Sequence, residues 1–150
     1  FTAAPEAVAK CISALQSHMT SNPNSIAQKA TVAALNGSQQ CVEEMRKEFK
    51  KRRDYIFQRQ EAIPLIDALK PEGAFYLFVD VSETYGKKMG EKQIQSAADF
   101  AQVLLEEKYV AVVPCADFGM PDYIRLSYAT SMELIQKGMD RIEELIKALQ

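Results

Sequence analysis

The sequence contains few of the residues from which metal sites and disulfide frameworks are built. It has one histidine and three cysteines, Cys11, Cys41 and Cys115, and no CxxC pair. An odd number of cysteines without such a pair is typical of a reduced intracellular chain, and a single histidine offers little for a metal site. We therefore expect a cytoplasmic protein whose function does not depend on a bound metal.

An excess of positive charge and long hydrophobic runs are also missing. The formal net charge is -2, and acidic and basic residues are mixed along the chain, which leaves no basic face for nucleic acid. The longest apolar runs, such as the one around Val112, are too short to cross a bilayer. We therefore expect neither nucleic acid nor a membrane among the partners of this protein.

The beginning of the sequence lacks two further features. Residues 1–11 contain no continuous hydrophobic stretch of the kind found in a signal peptide. They also do not begin with Met. We therefore expect no secretion signal, and we expect the chain to be a piece of a longer protein.

What the sequence does contain is enough apolar residues for one packed domain, because 47% of its 150 residues are hydrophobic. Apolar residues recur at helical spacing from Pro5 to about Met19. A second helix is predicted to open at Asn22, which can cap it, followed by Pro23, which loses no hydrogen bond in a first turn. This helix is expected to end at the Asn-Gly pair of residues 36–37.

A third helix is predicted to run from Ser38, whose side chain can cap it, to about Glu61. One stripe of this helix is apolar and includes Met45 and Phe49, whereas the other side is strongly basic over residues 46–54. Nearby glutamates offset much of this charge, and we interpret the basic side as a solvated helix face. The helix is long enough to bridge two lobes of a larger protein.

Beyond Pro64 the hydrophobic period changes from that of helices to that of strands. A turn at residues 71–73 precedes residues 75–80, which are apolar on both faces, so that we predict a strand in the centre of a sheet. Residues 85–93 are polar and are predicted to form a loop.

The remaining sequence is predicted to alternate helices and strands. A short strand ends at Pro114, and a second strand covers residues 123–130. The helix before them has a buried face of Ala97, Phe100, Ala101 and Leu104. The last helix is amphipathic, with an apolar stripe of Leu134, Met139, Ile142, Leu145 and Ile146.

The order of these elements favours the α+β fold class. Helices come first, and strands and helices interleave afterwards. We predict a small C-terminal lobe with a short sheet of about three strands packed by helices. The helices in the first third have apolar faces that something else should cover, and we expect exposed apolar patches there.

Residues 123–130, YIRLSYAT, form a predicted half-buried strand with a single charged residue, Arg125. A guanidinium group cannot give up its proton, so that Arg125 stays charged on this half-buried strand, and its charge is expected to face either solvent or a partner. Either the side chain points outward and pairs with a surface acid such as Asp122, or it holds a negatively charged ligand.

Four segments of the sequence resemble one family in their order and approximate spacing. They read LQSHMTSNPNSIAQKATVAAL, PEGAFYLF, VAVVPCADFG and YIRLSYATS. These segments are similar to motifs of the class I aminotransferases of fold type I, which use pyridoxal phosphate, and above all to the aspartate aminotransferase-like branch. The resemblance covers essentially the whole chain, but only the C-terminal part of the family.

Several residues of the family's cofactor site have no counterpart in this chain. The Schiff-base lysine in a Ser-Lys context, the aspartate facing the pyridinium nitrogen and the aromatic residue stacking on the ring belong upstream. The resemblance thus implies two parts: residues 1–50 are the helical tail of the large cofactor domain plus the interdomain helix, and residues 51–150 are the small C-terminal α/β domain. No residue of the chain is expected to be catalytic.

The resemblance also implies which residues bind the substrate. Arg125 occupies the position of the family's arginine that binds the α-carboxylate of the amino acid. Phe118 matches a turn that lines the pocket near this arginine, and Tyr76 belongs to a strand on the substrate side of the small lobe. Asn22 lies in a loop that reaches toward the active site of the partner subunit.

Some of these residues have a purely structural alternative. Asn22 is equally explained as a helix cap, and Gly73, Phe75 and Tyr76 are equally explained as a turn glycine and core aromatics. Both interpretations remain open at the level of the sequence.

Two residues near the motifs are not expected to be functional. Cys115 stands where many relatives have glycine, and because nothing nearby in the sequence activates its thiol, we expect a packed, inert cysteine. His18 has no metal-ligating partners at useful spacing, and we expect it to be structural or part of the polar surface.

The function implied by the resemblance is the transfer of an amino group from aspartate or a related amino acid to 2-oxoglutarate. The implied cofactor is pyridoxal phosphate in the full-length parent, with none bound covalently by this chain. The implied partners are the missing N-terminal cofactor domain, the second subunit of a homodimer, and the amino-acid and 2-oxo-acid substrates. Without the Schiff-base lysine, the chain alone is predicted to be inactive. The alternative is a non-enzymatic module that binds a carboxylate or a protein partner.

Overall fold

Three helices begin the chain, as the sequence predicts. They are α1 (Glu6–Met19), α2 (Ser25–Asn36) and α3 (Gln40–Glu61). The structure is a computed structural model that describes residues 2–150. The chain divides into two compact units, and the boundary between them lies within α3. The first unit ends at Glu43, and the second runs from Glu44 to Gln150.

The start of α2 lies two residues later than the sequence predicts. Asn24, not Asn22, is the capping residue: its Oδ1 atom accepts hydrogen bonds from the backbone N–H groups of Ile26 at 2.9 Å and Ala27 at 3.2 Å. A capping side chain satisfies the free N–H groups of the first helical turn, and it must stand directly before the first helical residue to reach them. The helix-cap explanation of Asn22 is therefore wrong.

The apolar side chains of α1 and α2 are exposed in the first unit. Neither helix has a buried residue. The exposed large apolar side chains of the two helices are Val8, Ile12, Leu15, Met19, Ile26, Val32 and Leu35. Those of α1 recur every three or four residues and therefore lie along one face. The prediction of exposed apolar patches on the first helices is confirmed.

The second unit contains the rest of α3, a sheet, a hairpin and two more helices. The sheet strands are β1 (Tyr76–Asp80), β4 (Val113–Pro114) and β5 (Tyr123–Ser127), the hairpin strands are β2 (Lys88–Met89) and β3 (Lys92–Gln93), and the helices are α4 (Ala97–Lys108) and α5 (Met132–Ala148). The sheet is antiparallel, in the order β1-β5-β4. The predicted α+β lobe with about three strands is confirmed.

The positions of two elements differ from the prediction. β1 lies at an edge of the three-stranded sheet, and β5 is the central strand. The apolar pattern of β1 misled the prediction, because Tyr76 and Phe78 lie half-buried on the face opposite the core and resemble core residues in sequence. The predicted loop at residues 85–93 contains the short β2-β3 hairpin, which pairs Lys88 with Gln93.

The core of the second unit lies between one face of the sheet and the helices α4 and α5. Its most buried members include Leu77 and Val79 from β1, Ile124 and Leu126 from β5, Phe100 and Leu104 from α4, and Met139, Ile142 and Leu145 from α5. Leu134, predicted in the buried stripe of α5, is 55% exposed, and its neighbour Ile135 is buried instead.

No helix within residues 2–150 has the length and apolar character needed to span a membrane.

Tyr128 connects the end of β5 to the turn before β1. It is almost fully buried, its hydroxyl donates a hydrogen bond to the Ala74 carbonyl at 3.1 Å, and its N–H donates to the Phe75 carbonyl at 2.9 Å. Ala74 has a φ of 57°, in the left-handed region that is unfavourable for residues other than glycine. The hydroxyl thus holds a strained turn in place.

Removing this hydroxyl should destabilise the chain modestly. We expect Tyr128→Phe to lower the free energy of unfolding by about 1 kcal/mol, because the hydrogen bond from this almost fully buried side chain to the Ala74 carbonyl is lost. Urea unfolding followed by circular dichroism measures the change. The matched control is Tyr109→Phe, since Tyr109 is 77% exposed. Equal stability of the two variants would contradict a structural role for the Tyr128 hydroxyl.

Candidate functional site

The candidate site lies on the face of the sheet opposite the core. Along β5, Ile124 and Leu126 are buried on the core side, and Arg125 lies between them on the other face. In the sheet register, Arg125 stands opposite Phe78 of β1 and opposite Val113 of β4. Because β5 is the central strand, its neighbours on both sides determine the surroundings of the guanidinium.

Two aromatic rings flank the guanidinium of Arg125. Its Cζ atom lies 4.4 Å from the centroid of the Tyr76 ring and 5.2 Å from that of the Phe118 ring. Both distances are within the range of cation–π contacts. Tyr76 belongs to β1, and Phe118 lies in the turn that follows β4, so the two rings reach Arg125 from opposite sides of β5 in the sheet order.

The guanidinium N–H groups of Arg125 have no partner among the described residues. Within residues 2–150, the side chain of Arg125 makes no hydrogen bond and no ion pair, whereas Arg59 contacts Asp140 at 2.8 Å and Glu143 at 3.0 Å. Arg125 is partly buried, and removing a charge from water is unfavourable unless the charge is paired. The arrangement is suited to an external anion.

The sequence left open a pairing of Arg125 with Asp122, and within the described chain this pair does not form. The Asp122 carboxylate instead accepts a hydrogen bond from the hydroxyl of Tyr85 at 3.0 Å. Burial of the hydroxyl and this hydrogen bond raise the pKa of Tyr85 to about 12. The tyrosine therefore stays protonated at neutral pH and remains the donor to Asp122.

Phe118 is held near Arg125 by a tight turn. Phe118 is the last residue of the 3₁₀ turn Ala116–Phe118. Gly119 follows this turn and has a φ of 77°. This left-handed conformation is accessible to glycine without strain. The N–H of Gly119 donates to the Ala116 carbonyl at 2.9 Å, and the N–H of Cys115 at the start of the turn donates to the Tyr123 carbonyl of β5 at 2.9 Å.

Tyr76 is supported by further aromatic side chains. Its ring centroid lies 4.5 Å from that of Phe75, and the Phe75 centroid lies 6.1 Å from that of Phe49 on α3. Phe75 is partly exposed and Tyr76 is half-buried, so neither of them is a core aromatic residue, although the sequence allowed that explanation. The contacts from Phe49 through Phe75 to Tyr76 hold the Tyr76 ring in its position beside Arg125.

Cys115 and His18 are found where the sequence predicted them. Cys115 is fully buried, and its thiol lies 3.4 Å from the Val113 carbonyl. Burial raises the pKa of the Cys115 thiol, which disfavours the reactive thiolate. The prediction of a packed cysteine is confirmed, and its inertness stays a prediction. His18 is an exposed residue in the last turn of α1.

The structure brings together three of the four predicted substrate-binding residues: Tyr76, Phe118 and Arg125. Asn22 belongs to the first unit, where it is exposed, and its role stays a prediction. The contacts of the two rings with the guanidinium were not foreseen from the sequence. Tyr76 and Phe118 are far apart along the chain, and no local pattern signals a cation–π contact.

The residues that commonly hold a metal ion or a covalently bound cofactor are scattered or at least partly exposed in the described chain. Within residues 2–150 there is no group of three or more His, Cys, Asp or Glu side chains that could hold a metal ion. No lysine in the described chain is buried. A lysine that reacts as a neutral amine generally needs a site that disfavours its charged form. None of the described lysines therefore stands out as an anchor for pyridoxal phosphate.

Comparison with known proteins shows one family. The family model for aminotransferase class I and II matches residues 1–142. The chain is 47% identical over 133 residues to aspartate aminotransferase of Bacillus sp. (strain YM-2), covering 89% of the chain and 33% of that protein. It is 42% identical over 147 residues to aspartate aminotransferase of Bacillus subtilis (strain 168), covering 98% of the chain and 36% of that protein.

The same family is found among solved structures. The chain superposes on the crystal structure of aspartate aminotransferase from Rhizobium meliloti with a TM-score of 0.93 and 39% sequence identity, over 97% of this chain and 37% of that one. The chain thus spans about a third of the length of the relatives that it matches. With its sequence matched almost from end to end and its fold in close agreement, the chain belongs to the class I and II aminotransferases and resembles their aspartate aminotransferase-like members.

Proposed function

We propose that this chain is the C-terminal part of a pyridoxal-phosphate-dependent aminotransferase, in which Arg125 binds the α-carboxylate of the substrate. The observation that carries the proposal is the guanidinium of Arg125, which lies on the central strand without a hydrogen bond or ion pair to any described residue while two rings flank it. Membership of the aminotransferase family supports the same role.

The chemistry of the two groups supports this pairing. A carboxylate is planar and has two acceptor oxygens, and a guanidinium can meet it with two parallel N–H donors, whereas a lysine would supply only a point charge. Hydrogen bonds to charged groups contribute about 1.5–3 kcal/mol. The paired geometry also orients the substrate, which matters because the bond that breaks must be aligned with the cofactor.

The proposed reaction is the transfer of an amino group from aspartate, or a related amino acid, to 2-oxoglutarate. The relatives named aspartate aminotransferase favour aspartate as the donor. In this reaction pyridoxal phosphate supplies the electron sink for the amino-group transfer. The residues of this chain bind the carboxylate, and by covering the substrate they help to exclude water from it.

The rest of the machinery is proposed to lie outside these 150 residues. The lysine that holds the cofactor belongs to the N-terminal cofactor domain of the parent protein, and the chain alone is inactive. The active parent is a cytoplasmic homodimer, in which Asn22 reaches toward the partner subunit's active site. Residues 1–50 belong to the large domain and its connecting helix, and residues 51–150 form the small domain that carries Arg125.

The test uses the native full-length gene product. Borohydride reduction followed by mass spectrometry is expected to show a pyridoxyl group on a lysine that precedes these 150 residues. The isolated chain, treated in the same way, should carry no specific adduct and should show no transaminase activity. A folded full-length protein without any pyridoxyl adduct, in the presence of added cofactor, would overturn the enzyme proposal and favour a carboxylate-binding module.

A further inference from the structure

Arg125 differs from the paired arginines of the second unit in how its side chain is held. Arg52, Arg53 and Arg59 are each within 3.1 Å of a carboxylate oxygen, and such pairing restricts a side chain that otherwise has about 2 kcal/mol of rotamer entropy. Arg125 has no such partner among the described residues. The contacts that restrict its guanidinium are those with Tyr76 and Phe118.

We propose that Tyr76 and Phe118, here called the ring pair, are positioning residues for the substrate carboxylate. The inference rests on the proposed function of Arg125 and goes beyond it. The two rings contact the guanidinium, with their centroids 4.4 Å and 5.2 Å from its Cζ atom, and restrict its position, while they leave its N–H groups free of hydrogen bonds to the described residues. In this role the ring pair acts through Arg125 and not by contact with the side chain of the substrate.

Aromatic rings are suited to this task in a way that acids are not. A carboxylate beside Arg125 would occupy the N–H donors and would compete with the substrate for them. A ring attracts the cation through its face and leaves all five donors available. The lack of an ion pair between Arg125 and any described residue and the presence of the two rings therefore have one common explanation.

The two rings differ in how they are supported by the rest of the fold. We therefore expect their replacement to affect the stability of the protein to different degrees. Tyr76 is on a sheet strand, where it pairs with Ser127, and Phe75 packs against its ring. Phe118 is 56% exposed on a short turn, so that the core does not depend on it. Replacing Phe118 should therefore alter the site without destabilising the protein, and this makes it the cleaner test.

The experiment measures both half-reactions of the full-length enzyme. Every amino-acid and 2-oxo-acid substrate carries a carboxylate next to the reacting carbon, and the same arginine receives it in both directions. We therefore expect Phe118→Leu to raise the KM for the amino acid and the KM for the 2-oxo acid by the same factor, about three- to fivefold, with kcat changed by less than about twofold. Tyr76→Leu should raise both KM values further.

Conservative variants and a distant control complete the design. Phe118→Tyr and Tyr76→Phe keep a ring beside Arg125, and both should restore the KM values to within about twofold of the wild type. Tyr109→Leu, at a site that is 77% exposed on the end of α4, should leave both KM values unchanged. The Tm of each variant shows whether an effect comes from loss of folding.

The outcomes separate this inference from the proposed function. Unchanged KM values in Phe118→Leu and Tyr76→Leu, or a rise for one substrate alone, would overturn the positioning role. The second result would indicate direct contact between a ring and one substrate side chain. If Arg125→Gln leaves catalysis intact, or if the full-length protein has no transaminase activity, the proposed function fails and the inference fails with it. If Arg125→Gln loses activity but Phe118→Leu and Tyr76→Leu keep the KM values of the wild type, the positioning role is overturned and the proposed function stands.

Discussion

Replacing Arg125 by glutamine in the full-length enzyme is expected to lower kcat/KM by at least tenfold, and by up to about a hundredfold. The estimate follows from the loss of charge-assisted hydrogen bonds to the substrate carboxylate, which are worth about 1.5–3 kcal/mol, with about 1.4 kcal/mol for each factor of ten. The effect should appear with amino-acid and 2-oxo-acid substrates alike. Steady-state kinetics of the two half-reactions measure it.

Two further variants show whether the effect depends on the geometry of Arg125. Arg125→Lys keeps the positive charge but loses the paired donors, so that we expect an intermediate loss of kcat/KM. Arg141→Gln is the matched control, because the guanidinium of Arg141 donates to the Tyr109 carbonyl at 3.3 Å and lies outside the site. A loss of less than about threefold in Arg125→Gln would contradict carboxylate binding, which should cost at least a tenfold factor.

Arg125 is well suited to such an experiment, because its substitution should not disturb the fold. Its side chain makes no ion pair or hydrogen bond within the described chain, and its strand is anchored by Ile124 and Leu126 on the core side. The Tm of Arg125→Gln should therefore stay close to that of the wild type. A loss of activity with unchanged stability would then be assigned to binding.

The largest expected effect on stability concerns the core of the second unit. We expect Leu104→Ala to lower the free energy of unfolding by about 2–5 kcal/mol, because the substitution leaves a cavity in a packed core. Leu104 is 0% exposed on α4. Urea unfolding of the 150-residue chain, followed by circular dichroism, measures the change.

The neighbouring residue provides a control of the same chemical type. Leu105 is 51% exposed on the same helix, and we expect Leu105→Ala to change the free energy of unfolding by less than about 1 kcal/mol. Alanine has a similar or higher helix propensity than leucine, so that the difference between the two variants reports burial alone. Similar losses at both positions would show that the packing of α4 differs from the structure described.

The elements predicted best from the sequence were those with a clear local signal. The helix α5 has a strong apolar stripe, and the third helix ends at Glu61 as its pattern indicated. The boundary of α2 was misplaced because Asn22, followed by Pro23, matches the pattern of a helix start, whereas the residue that stands directly before the helix is Asn24. Only the backbone geometry shows that Asn24 reaches the free N–H groups.

Sheet order and side-chain surroundings could not be predicted in the same way. The strand β1 carries apolar residues on both faces, which is the usual pattern of a central strand, yet it lies at the edge. Leu134 fits the helical period of α5 but is exposed, because the core side of the helix is set by what packs against it. In both cases the deciding contact involves residues distant in sequence.

For the candidate site, the sequence by itself determined which residue type stands at position 125 and, through the motifs around it, which family the chain resembles. A guanidinium on an apolar strand is a local feature, and it can be recognised without coordinates. Only the tertiary structure decided what surrounds that group, because Tyr76, Phe118 and Arg125 meet through the pairing of β1, β4 and β5. The order of strands in a sheet depends on long-range packing, which local sequence patterns do not encode.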